Sequence, residues 1–113
     1  MRVKWTDHAF AQRNQIASYI HRQFGIKRKI RFLQKVRQMT QMLKKSPNIG
    51  SIDPLFASRP LAYRSIIING LSKMVYRVDD DVIHIVGFWD CRQEPQNQVA
   101  QTETSSNDSD FIL

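Results

Sequence analysis

The dipeptide Asn69-Gly70, set between LAYRSIII (61–68) and LSKMVYRV (71–78), constrains this chain more than any other feature. A two-residue type I′ reversal needs positive φ at both central positions, and Asn-Gly between β-rich runs is the strongest short-range signal for one. Read as a two-residue loop, it pairs Ile68 with Leu71, Ile66 with Lys73, Arg64 with Val75 and Ala62 with Arg77. Residues opposite one another share a face of the sheet. Arg64 then stands across from Val75, with Lys73 and Arg77 diagonal to it, so three cations gather on one side. Tyr63, Ser65, Ile67, Met74, Tyr76 and Val78 fill the other side, which suits it to receive helices.

A third run, VIHIVGFW (82–89), follows Asp79-Asp80-Asp81 and closes a three-stranded meander. With Asp80-Asp81 as the loop, Arg77 pairs with His84, and the even-numbered residues of the last strand join the cationic face. Carried onward, that parity reaches Arg92. A loop one residue longer, or irregular geometry at Asp90-Cys91, reverses it. Like charges on one face repel, so the arrangement calls for an anion; the plainer alternative is stems lying over the sheet with their heads in water.

Upstream, RVKW (2–5) alternates as a half-buried strand does. Thr6 or Asp7 then caps a helix whose apolar positions are Ala9, Phe10, Ile16, Ala17, Ile20 and Phe24, with Gly25 as its left-handed stop. A second helix runs from about Ile26 to Lys45, with Phe32, Val36, Met39 and Leu43 at helical spacing. It ends at Ser46-Pro47, with Lys44 and Lys45 at its negative pole. So short a joint makes an antiparallel hairpin. Residues 47–60 hold three of the four prolines and read as a crossing loop. The expected architecture is α+β, in the order β-α-α-β-β-β, with an antiparallel sheet packed on a two-helix hairpin.

A length of 113 residues fits one domain, with 42% apolar and 24% charged residues. The domain spans 1–95, and 96–113 reads as a polar, disordered tail with Phe111-Ile112-Leu113 as its apolar exception. No signal peptide or membrane span is evident, which makes the expected address cytoplasmic. Cys91 is the only cysteine, and His8, His21 and His84 are scattered. No disulfide, metal site or cofactor is expected, and Cys91 reads as a small packing residue. Net charge is +7, unevenly spread: residues 8–52 contain ten Lys and Arg and no acid, whereas residues 96–113 contain Glu103, Asp108 and Asp110 and no cation. A half-chain of one sign suits a polyanion or an acidic protein partner.

W-T-x-x-A at 5–9, Y-I-x-x-x-F-G at 19–25, P-x-x-G at 47–50, Y-R-S-I at 63–66, V-Y-R-V at 75–78 and W-D-C-R-Q-E-P at 89–95 occur in an order that resembles the RelE/ParE toxin superfamily. The resemblance covers residues 2–95. It implies the toxin of a type II toxin–antitoxin pair, held inactive by a cognate antitoxin. Two activities are implied as alternatives: RelE-like cleavage of mRNA on the ribosome without metal, or ParE-like inhibition of DNA gyrase. A nuclease needs a proton acceptor, cations for the phosphorane and an acid for the leaving oxygen. The resemblance places Arg64, Lys73 and Arg92 in catalytic positions; Arg77 and His84, set on the same face by the hairpin pairing, read as substrate-binding residues, with His84 also a candidate base. The resemblance favours the nuclease. The chain departs from the RelE-like pattern at Arg64, a poor base where a lysine stands, at Ile66 in place of a second lysine, and in lacking a tyrosine after Arg92. A third alternative is a non-toxic basic module that binds nucleic acid with steep salt dependence.

Overall fold

Thr6 turns the first strand into the first helix. Its backbone is extended (φ −73°, ψ 153°) and its Oγ1 accepts a hydrogen bond from the Ala9 amide at 3.1 Å, satisfying one of the donors a helix start leaves open. The computed structural model describes residues 1–70, 72–90 and 110–112. The elements are β1 (Arg2–Thr6), α1 (Asp7–Phe24), α2 (Ile26–Lys45), β2 (Ser51–Ile52), a 3-10 turn (Pro54–Phe56), β3 (Tyr63–Ile67), β4 (Ser72–Asp79), β5 (Val82–Asp90) and β6 (Asp110–Ile112).

Gly25 alone joins the helices. Its φ of 94° lies where an L side chain is strained, and its amide closes α1 on the His21 carbonyl. The helices lie against a sheet of order β2-β3-β4-β5-β1-β6, in which β1 runs parallel to β5 and every other pairing is antiparallel. The expected α+β architecture is therefore present, with two additions. Residues 51–52 of the supposed loop form a strand on β3, and residues 110–112 of the supposed unpacked tail pair with β1.

Between helices and sheet lies the main core, where Trp5 stacks on Phe88 at 5.2 Å and α2 contributes Phe32, Val36 and Leu43. Along β5, β1 pairs only as far as Ile85. Beyond it the Phe88 amide is satisfied by the buried Gln12 side chain of α1 at 3.0 Å, so a polar residue sits in the core to complete the strand. The opposite face carries a smaller core of Phe56, Tyr63, Val75, Val86 and Trp89, with Phe56 stacked on Tyr63 at 4.9 Å. No helix among the described residues is long and apolar enough to cross a membrane.

Candidate functional site

The two hairpins set the site; the first departs from the expected register and the second begins in it. At Asn69-Gly70 only Gly70 has positive φ, 82°. Asn69 uses its side chain instead, accepting the Ser72 amide at 2.9 Å, and Ile68 closes on Ser72 through a 2.8 Å backbone bond. The reversal is one residue longer than a type I′ turn, with Ile68 and Ser72 flanking it. Pairing shifts accordingly: Arg64 faces Tyr76, Tyr63 faces Arg77, Ser65 faces Val75 and Ile67 faces Lys73. The expected pairs of Arg64 with Val75 and Ile66 with Lys73 are corrected by one residue. Because the side-chain period is two, every residue of β3 changes face.

Arg64 is consequently on the helix side of the sheet, not beside Lys73 and Arg77. There its Nη1 donates to the carbonyls of Gly50 (2.8 Å) and Asn48 (3.4 Å). Its neighbour Tyr76, fully buried, donates its hydroxyl to the Pro47 carbonyl at 2.7 Å and accepts the Gly50 amide at 2.9 Å. Together they fasten the segment after α2 onto the sheet. Burial pushes the Tyr76 phenol's pKa up, while the Gly50 amide and the charge of Arg64 pull it down. Gly50 is required because a Cβ there would lie 2.7 Å from the Tyr76 hydroxyl.

Lys73 does lie on the other face, but in an ion pair. Its Nζ is 2.8 Å from Asp53 Oδ2, and the two side chains are 12% and 4% exposed. The second oxygen of Asp53 accepts the Leu55 amide and so caps the 3-10 turn. Asp53 was not anticipated as a partner; the Asp-Pro that begins this turn was its only sequence signal.

Asp80-Asp81 forms the two-residue turn. Both residues have positive φ, 50° and 59°, and Asp79 pairs with Val82 and Arg77 with His84 as expected. His84 in turn lies beside Lys4 of β1. Lys4, His84 and Arg77 thus form a row across three strands, in which Arg77 Nη1 stands 3.6 Å from Asp79 Oδ2. Lys4 was missed because sequence alone does not place β1 in the sheet. Farther along β5 the register slips between Val75 and Tyr76, so that Val75 faces Gly87 and Tyr76 faces Ile85. Val86 is the extra residue of a β-bulge, and the expected even parity ends there. Arg92 and Cys91 lie outside the described residues.

A second feature is a groove of about 670 Å³ where the helix hairpin meets the β3–β4 reversal. Ile16, Ile20, Phe32 and Ile68 line it, with Tyr19 and Phe24 at its rim and Arg28, Arg31 and Lys35 along one wall. Phe24, expected to point into the core, is 55% exposed, and the Arg28 guanidinium lies 5.2 Å from its ring. Cations crowd the start of α2, where no acidic residue offsets the helix dipole.

Comparison with known proteins supplies the family. Residues 3–95 match the model of the ParE toxin of type II toxin–antitoxin systems, parDE. The chain belongs to the ParE toxin family. Among solved structures it is similar to a chain described as the chromosomal ParDE TA system from P. aeruginosa, at 21% identity, with a TM-score of 0.65, covering 80% of this chain and 95% of that one. That likeness concerns the fold. A comparison with curated proteins gives no match. The ParE match takes in β1 to β5 and stops before β6.

Proposed function

We propose that this chain is the toxin of a type II toxin–antitoxin pair and that it arrests growth by binding DNA gyrase, not by cutting mRNA on the ribosome. One observation carries the choice between these mechanisms: Arg64 and Lys73, which a RelE-like nuclease would aim at one phosphate, lie on opposite faces of the sheet, and Lys73 is already neutralised by Asp53. A cation held by a buried carboxylate at 2.8 Å has little charge left for a phosphorane. Membership of the ParE family supports the same reading. The Lys4–His84–Arg77 row is then a contact surface that needs no proton transfer.

The cognate antitoxin is the second partner in this reading. An apolar groove with a cationic wall fits an amphipathic segment with acidic residues along one flank. The purified chain is expected to block supercoiling of relaxed plasmid by gyrase, while primer extension on transcripts from induced cells shows intact message. Arg64→Ala is expected to keep growth arrest. Translation-dependent cuts within codons, lost in Arg64→Ala, would reverse the proposal.

A further inference from the structure

Within the ParE-matched residues β1 is an edge strand: β5 covers one side of it, and among the described residues of 3–95 no strand covers the other. Such an edge presents a row of backbone donors and acceptors to any passing strand. Residues 110–112, well beyond the matched region, fill this one, with Lys4 opposite Ile112, Trp5 opposite Phe111 and Thr6 opposite Asp110. We propose that the outer edge of β1 is a strand-docking site for a short acidic and apolar segment, and that residues 110–112 of the same chain are its resident occupant. They form a displaceable cap with which a partner's strand must compete.

Three observations support the cap. The acceptor is fastened independently of residues 110–112, because β1 pairs with β5 from Arg2 to Trp5 and Thr6 is tied to α1 through Ala9. Charge selects the occupant: β1 carries Arg2 and Lys4, and two β1 edges paired antiparallel would oppose like charges, whereas residues 96–113 contain three carboxylates and no cation. Finally, the cap is built to leave. It pairs over three positions, against eight between β4 and β5. Nineteen residues separate it from β5, a tether able to reach about 60 Å across a gap of two strand spacings, about 10 Å.

Hydrogen exchange on the full chain tests this, with Phe111→Pro removing the strand and Phe111→Val preserving it. Backbone amides of Arg2–Thr6 that point away from β5 are expected to exchange at least about tenfold faster in Phe111→Pro than in the parent or Phe111→Val, with β5 protection unchanged. A synthetic peptide of residues 107–113, NDSDFIL, is expected to bind Phe111→Pro at least about tenfold more tightly than it binds the parent chain, whose edge is filled. Equal exchange in all three chains, or equal peptide affinity for parent and Phe111→Pro, would overturn the cap. Neither readout depends on gyrase or on growth arrest, so the result is independent of the proposed function.

Discussion

Tyr76 concentrates the residue-scale chemistry of this protein. Its hydroxyl is both donor to the half-buried Pro47 carbonyl and acceptor from the buried Gly50 amide. Tyr76→Phe leaves the Gly50 amide and the Pro47 carbonyl without it, and is expected to lower stability by about 1–3 kcal/mol at pH 7 in urea titrations. The pH dependence follows from the raised phenol pKa. Folding favours the protonated phenol, so its contribution is complete below the unfolded value of about 10 and is lost as pH rises through the higher folded value. The gap between parent and Tyr76→Phe should therefore be constant from pH 7 to about 9.5 and narrow above pH 10. Residue-level legibility was uneven for a physical reason. Thr6 and Gly25 act on their own helix ends and could be read directly. The partners of Tyr76 and Lys73 lie 20 to 29 residues away in sequence, across a loop whose path no local rule sets.

At the scale of elements, the two β-turns show what a local signal can and cannot decide. Asn69-Gly70 has the preferred residues for a two-residue turn and makes a longer one; Asp80-Asp81 lacks glycine and makes the two-residue turn with both φ angles positive. Burial is the arbiter. A one-residue slip at β3–β4 puts Tyr63 against Phe56 in the smaller core and Ile66 on the main one, whereas the two-residue register would leave Ile66 beside Lys73. Packing of whole strands outweighs a turn preference of about 1 kcal/mol. The strain at Asp81 is correctable: Asp81→Gly is expected to stabilise the fold by about 0.5–1 kcal/mol, seen as a higher urea midpoint with unchanged slope. The helices gave no such surprise. Their ends are set by Thr6, Gly25 and Ser46, and their bounds agree with the periodicity of their apolar residues.

On the scale of the whole molecule, charge and apolar surface are segregated. Residues 8–52 bear ten cations and no acid, and the groove draws Arg28, Arg31 and Lys35 from that segment beside exposed Tyr19 and Phe24. If this is where an acidic partner docks, Arg31→Glu together with Lys35→Glu should weaken antitoxin binding at least about tenfold in calorimetry at 50 mM salt, and by less at 500 mM. Binding unchanged at low salt would remove the groove from the interface. The sequence by itself determined the helices, the strand segments, the one-sign field and the family likeness, because periodicity, caps and charge are properties of neighbouring residues. Only the tertiary structure decided which face each cation of β3 occupies, the bulge at Val86, the Lys73–Asp53 pair and the place of β1 between β5 and β6. Those depend on register, and register is settled by burying both faces of the whole sheet at once.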